Sequence, residues 1–179
     1  MSKASFEHLF SPHIKSLYKI AYQWTLNSED AEDLIQDLAL KLVGRVDEMA
    51  NVEVLHPWLV RVMYRLFVDE FRRKQARPLA YEHQFTGDII ARLVDNNSSN
   101  PETRSIQEQL GKQLLIALTK LEKEQAVALF MFEVEGYSLK EIAKIQDVSE
   151  GTVKSRLHRS RKTLQKYLKK GTFIDGNPC

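Results

Sequence analysis

Between Ser149 and Arg159 the chain sets Thr152, Lys154, Ser155, Arg156, His158 and Arg159 around the apolar pair Val153 and Leu157. On a helix this spacing gathers the apolar pair on one face and turns hydroxyl, ammonium, guanidinium and imidazole donors outward. Donors of these kinds bond base edges in a groove or phosphate oxygens along it. Ser149 is a helix cap, and the backbone N–H groups of Gly151 and Thr152 fall at the helix start, where a phosphate binds well. Ser149, Gly151, Thr152, Lys154, Ser155, Arg156, His158 and Arg159 are therefore candidates for contact with duplex DNA.

The preceding residues supply what such a helix needs to be positioned. Ser138-Leu139-Lys140-Glu141 reads as a capping box. Leu139, Ile142 and Ala143 face inward, and the small Ala143 lets a second helix cross closely. Asp147-Val148 makes a turn with Val148 as its apolar plug, and Val153, Leu157 and Leu164 carry the core side of the second helix. Two short helices joined by a tight turn match the helix-turn-helix, whose second helix enters the major groove. The plain alternative is a basic amphipathic helix on a surface. Capping box, turn and basic helix in that order favour DNA.

A second constellation has the opposite sign. Glu29, Asp30, Glu32, Asp33 and Asp37 form an acidic block. Lys154, Arg156, Arg159, Arg161, Lys162, Lys166, Lys169 and Lys170 form a basic one. The net charge of +2 conceals this asymmetry, which suggests two different partners, one of them nucleic acid. Ser28 caps the acidic helix, whose Ala31, Leu34, Ile35, Leu38 and Leu42 share one face while Asp30, Asp33, Gln36 and Asp37 lie on another. An earlier helix is expected from Phe6 to Leu26, with Leu9, Ile14, Leu17, Ala21 and Trp24 inward. After a loop over Asp47 to Leu55, Pro57 suits the first turn of a long helix reaching about Arg73. Leu59, Val62, Met63, Leu66 and Phe67 make its buried stripe; Arg61, Arg65, Asp69 and Arg72 make a charged one, extended by Arg73 and Lys74.

These elements imply an all-α chain of two small helical domains joined by a flexible linker. Of the 179 residues only seven are glycine and five proline, which leaves little turn chemistry for an all-β fold. Residues 1–75 form the first expected domain and 76–100 the linker, with a short helical turn at Asp88 to Val94 and a loop at Asn96 to Pro101. The second domain, 101–170, opens with Asn100 capping Pro101 and a stripe of Ile106, Leu110, Leu114, Ala117, Leu118 and Leu121. A further helix from Lys123 to Glu135, with Val127, Phe130, Met131 and Val134 inward, stops at Gly136. Residues 171–179 are read as a tail. Cys179 is the sole cysteine, so neither a disulfide framework nor a cysteine-based zinc site is expected. No metal, cofactor or catalytic residue is expected either: the five histidines, His8, His13, His56, His83 and His158, are scattered without ligand or nucleophile spacing. Met1 to His8 lacks a signal-peptide core, and the longest apolar run, Ala126 to Phe132, is too short to span a bilayer. A soluble cytoplasmic protein is the expectation, with no membrane insertion.

Glu141-Ile142-Ala143 followed by Ser149-Glu150-Gly151-Thr152-Val153-Lys154-Ser155-Arg156-Leu157 resembles region four of extracytoplasmic-function (ECF) sigma factors, and Glu135-Gly136-Tyr137-Ser138 resembles its lead-in. Asp30-Ala31-Glu32-Asp33-Leu34-Ile35-Gln36-Asp37 resembles the polymerase-binding helix of region two. Trp58 to Val62 through Asp69 to Arg73 resembles the helix that handles the minus-ten promoter element. Departures are Glu122, where the family commonly has proline, and Gln146-Asp147, where it has Leu-Gly. Gln146 is expected to weaken the apolar packing of the turn, whereas Asp147 tolerates a left-handed backbone.

The resemblance implies a transcription initiation factor that binds core RNA polymerase, promoter DNA as duplex and melted strand, and an anti-sigma factor. Asp30, Glu32, Asp33, Gln36 and Asp37 would bind polymerase. Asn51, His56, Arg61, Arg65, Arg72 and Arg73 would hold the minus-ten strand, with Asp47 to His56 as the base-capturing loop. The residues from Ser149 to Arg159 would read the minus-thirty-five element. Trp58 and Tyr64 are further candidates for stacking on a base, although a core role suits Trp58 better. A stand-alone helix-turn-helix regulator is the alternative. An enzyme is a weaker one.

Overall fold

The computed structural model describes residues 3–75 and 101–171. The expected linker, its helical turn, the Asn100 cap and tail residues 172–179 lie outside them. Every regular element among the described residues is helical: α1 Lys3–Phe10, α2 Ile14–Thr25, α3 Ser28–Leu42, α4 Val46–Ala50, α5 Leu55–Gln75, α6 Pro101–Thr119, α7 Lys123–Glu133, α8 Leu139–Gln146 and α9 Glu150–Gly171. The all-α expectation holds.

The first half differs from expectation at its junctions. One helix was expected from Phe6 to Leu26, but Pro12 lies in a 3-10 turn, Ser11–His13, that separates α1 from α2. Proline has no N–H for the ladder and its ring crowds the preceding turn, so the helix breaks there. The break re-aims the following residues: Ile14 is exposed, whereas Phe10 and Ile20 join Leu17, Ala21 and Trp24 in the core. The cap of α3 is Asn27, one residue before the expected Ser28. Its Oδ1 accepts the Asp30 N–H at 3.1 Å. Val46–Ala50 forms a short helix that runs into the stretch expected to be loop, Asp47 to Leu55, with Val46 and Met49 buried.

In the second half α6 begins at Pro101, and Ala117, Leu118 and Leu121 are buried as expected, whereas Leu110 is exposed. Helix α7 ends at Glu133, two residues early, so Val134 points to solvent. Gly136 follows with φ of 72°, a left-handed backbone suited to a residue without Cβ. Around α8 the capping box is complete. Glu141 N–H bonds Ser138 Oγ at 3.3 Å, and Ser138 N–H bonds Glu141 Oε2 at 2.8 Å. Asp147 turns the chain with φ of 56°, and Val148 N–H returns to the Ala143 carbonyl at 3.0 Å.

The two sets of helices pack on each other. Helix α8 lies against α5 and α7 against α2, and a continuous hydrophobic core runs through both halves. This explains why α5 buries more than its expected stripe. Val60 and Tyr64 are covered along with Leu59, Val62, Met63 and Phe67, because α5 packs against α8 as well as against α2 and α3. Trp24 sits edge-on to Tyr64 with ring centroids 6.0 Å apart.

Candidate nucleic-acid interface

The start of α9 is built by Ser149, whose Oγ accepts the Thr152 N–H at 3.1 Å and meets Thr152 Oγ1 at 3.0 Å. Val153 and Leu157 are buried, which fixes the rotation of the helix. That rotation leaves Ser149, Gly151, Lys154, His158 and Arg159 exposed on one side, a basic surface at a helix N-terminus. Thr152 and Ser155 are half-buried, and the Ser155 hydroxyl donates to the Thr152 carbonyl at 2.9 Å. Arg156, expected on the outward face, is instead half-buried. It donates to Gln146 Oε1 at 2.6 Å and bonds the Tyr64 hydroxyl of α5. Burial is the main reason that the Tyr64 pKa rises above 10.0.

Buried polar residues that sequence periodicity could not mark hold this unit together. Gln146 is only 5% exposed and spends both ends of its amide: Nε2 donates to the Glu124 carbonyl at 3.1 Å while Oε1 takes Arg156. Its expected weakening of the turn is therefore offset by two hydrogen bonds. Ser160, fully buried, places its hydroxyl within 3.0 Å of the Gln125 carbonyl and 2.8 Å of the Arg156 carbonyl. On the outside, Arg161 clamps Glu133 at 2.6 Å and covers the Phe132 ring.

In the first half the acidic residues are arrayed as the sequence indicated. Glu32, Asp33, Gln36 and Asp37 are exposed on α3, and Asp30 is half-buried in its first turn. The periodic reading missed Leu40 and Val43, which are 73% and 51% exposed on or just after the same helix. Acidic and apolar groups thus share one accessible surface, a composition suited to a protein partner.

The remaining candidates are spread over two elements. Asn51 is exposed after α4 and donates to the Asp47 carbonyl at 2.8 Å. Arg65, Arg72 and Arg73 are exposed on α5, with Arg73 paired to Glu70 one turn back. Arg61 is turned toward the second half, with Nη2 3.6 Å from Asp147 Oδ1. His56 stacks on His13 with ring centroids 5.3 Å apart, and its Nε2 lies 3.4 Å from Ser16 Oγ. Desolvation lowers the His56 pKa, His13 lowers it further, and Glu135 acts in the opposite direction. Trp58 is half-buried beneath the Arg45 guanidinium, 5.5 Å from the ring centre. Tyr64 is buried beside Trp24, so neither it nor Trp24 offers a free face to a base.

The model of sigma-70 region 2 matches residues 9–77, and that of sigma-70 region 4 matches residues 112–164. The ECF sigma factor SigM of Mycobacterium tuberculosis is 30% identical over 164 residues, covering 92% of this chain and 77% of that protein. The chain belongs to the ECF family of RNA polymerase sigma factors. The ECF sigma factor SigE of Mycolicibacterium smegmatis is 32% identical over 171 residues, covering 93% of this chain but only 62% of its own length. Among solved structures, the fold is similar to that of the sigma factor RpoE from Bartonella quintana in complex with the anti-sigma factor NepR. The TM-score is 0.68 at 23% identity, with 96% of this chain and 98% of that one covered. In ECF terms, α3 and α5 fall within region two, and α7, α8 and most of α9 within region four. No helix among the described residues is long and apolar enough to cross a membrane.

Proposed function

We infer that this chain is an initiation factor that brings core RNA polymerase to specific promoters and helps to open them. The carrying observation is the pairing of two opposite surfaces within the matched regions. The acidic face of α3 lies in region two, and the exposed basic start of α9 lies in region four. The acidic face, with Glu32, Asp33, Gln36 and Asp37 exposed, supports polymerase docking; electrostatic complementarity would speed and orient that encounter. Lys154, His158 and Arg159 would contact the minus-thirty-five duplex. Arg65, Arg72 and Arg73, with Asn51 and His56, would hold the melted minus-ten strand.

Residues 1–75 and 101–170 are assigned as the two functional domains, 76–100 as their connection and 171–179 as a tail. Polymerase supplies the catalysis, and the chain itself is assigned no enzymatic step. Cytoplasmic location follows from that role. An anti-sigma factor is a fitting regulator, as NepR binds the similar RpoE fold.

The test is to mix the purified chain with core polymerase and footprint promoter fragments selected by the mixture. Protection and start-site melting that need both components support the reading. Tight, specific duplex binding by the chain alone, unchanged by polymerase, favours the stand-alone regulator instead.

A further inference from the structure

A cavity of about 610 Å³ opens between α2, the end of α5, the end of α6 and α7. Its apolar lining is Leu26, Phe71, Leu118, Leu121, Ala126 and Phe130. Two neighbours on α2, Gln23 and Trp24, line it as well, and each carries a polar atom without a partner. Trp24 is 2% exposed, and its Nε1 makes no hydrogen bond among the described residues. Gln23 Nε2 donates to Glu135 Oε1 at 3.0 Å, which orients the amide, whereas the buried Gln23 Oε1 accepts nothing among those residues. Buried donors and acceptors are nearly always paired, because a bare one gives up its hydration for nothing.

Charge around the cavity is mixed but leans positive. Arg72 and Lys120 are exposed, and neither pairs with a carboxylate among the described residues. Lys123 Nζ lies 5.6 Å from the centre of the Phe71 ring. Glu122 and Glu124 line the cavity too, but Glu122 Oε2 already accepts Gln125 Nε2 at 2.7 Å. Three cations beside two carboxylates suit a ligand with one negative charge better than the double charge of a phosphate. A volume of this size, with apolar walls and a few polar groups, has the character of a small-molecule site.

We propose that this cavity binds a small aromatic carboxylate that carries a hydroxyl group. The ring packs among the apolar walls, with Phe71 and Phe130 as aromatic partners. The carboxylate meets Arg72 and Lys120, and a guanidinium can hold both of its oxygens side by side. A hydroxyl accepts and donates at once, so it answers the unpaired Trp24 N–H and the unpaired Gln23 oxygen, which a bare ring cannot. Water alone would serve the polar atoms only by wetting the apolar side chains around them. Apart from Arg72, the site uses none of the residues assigned to polymerase or promoter DNA, so its occupancy can be read on the free chain.

The test titrates the full chain by calorimetry with para-hydroxyphenylacetate, with phenylacetate, which lacks the hydroxyl, and with tyrosol, which lacks the carboxylate. The first should bind saturably at millimolar concentration or below, about tenfold more tightly than either of the others, since each of those loses one polar contact. Lys120→Glu, at an exposed position, should weaken binding of both carboxylates several-fold and leave tyrosol unchanged. In a Trp58→Phe protein Trp24 is the one tryptophan left, and its emission should change along the same titration curve. Trp24→Phe, checked for folding by circular dichroism, should erase the advantage that the hydroxyl gives; the emission reading decides the matter if that variant does not fold. Absence of saturable binding by all three compounds overturns the proposal, as does equal affinity for the three. Binding that leaves Trp24 emission unchanged and ignores Lys120→Glu lies elsewhere on the molecule and overturns it as well.

Discussion

Gln146 Oε1 accepts a hydrogen bond from Arg156 Nη1 at 2.6 Å, which ties the last residue of α8 to α9 across the turn. Gln146 is 5% exposed, so its loss would leave the half-buried Arg156 guanidinium and the Glu124 carbonyl without this partner. Gln146→Ala should lower stability by about 2–3 kcal/mol. Gln146→Leu, which refills the volume, should lose less. Thermal melting checks both, and an alanine variant that melts with the parent would show that the bond contributes nothing.

Arg156 and its neighbours on α9 should respond to truncation in different ways. Lys154 and Arg159 are exposed, so alanine there should leave melting within about 0.5 kcal/mol of the parent. Promoter use should fall by about 1–3 kcal/mol where a base contact is lost. Arg156→Ala should instead lower the melting temperature, because its guanidinium bonds Gln146 and Tyr64. Melting curves beside transcription assays separate the two classes. Equal losses of stability in all three variants would contradict the division.

How much of this was legible in the sequence follows from which forces are periodic. The capping box, the Asp147 turn and the stripe at Ala31, Leu34, Leu38 and Leu42 could be read because local bonding and helix geometry fix them. Burial of Val60 and Tyr64 could not, since α5 packs against elements of both halves, α8 far along the chain among them, and Tyr64 lies beside Trp24 and Arg156. The inward turn of Arg156 has the same origin. A guanidinium on a basic helix reads as outward until the buried Gln146 amide and Tyr64 hydroxyl are known to lie beneath it. Pro12 was a visible break signal that the apolar spacing around Leu9, Ile14 and Leu17 masked.

Charge reversal at Asp33 and Asp37 isolates the acidic face. Both are exposed on α3, away from the Ala31–Leu42 stripe that holds the helix in place. Asp33→Lys with Asp37→Lys should weaken core polymerase binding at least tenfold at low salt, and the effect should shrink as salt screens it. Helical content and melting should stay close to the parent's. Unchanged polymerase affinity would place the docking surface elsewhere.

His56 predicts a pH dependence of stability. Burial holds its folded pKa below the ordinary 6.5, with His13 acting in the same direction and Glu135 opposing. Below pH 6.5 the unfolded chain therefore binds the proton more readily than the folded one, and stability falls with pH until the folded His56 also titrates. Denaturant midpoints should decline between pH 7.5 and 5.5, and His56→Gln should flatten part of that decline. Identical slopes in parent and variant would mean that His56 is not the group responsible.

The central claim is that one chain couples polymerase to promoter sequence, and footprinting of selected promoter DNA with core polymerase, the chain, or both tests it most directly. The account predicts that only the mixture protects two segments about 25 base pairs apart, about 85 Å along the duplex, and melts the downstream one. Equal protection by the chain alone, or a mixture that protects nothing beyond core polymerase, would contradict it.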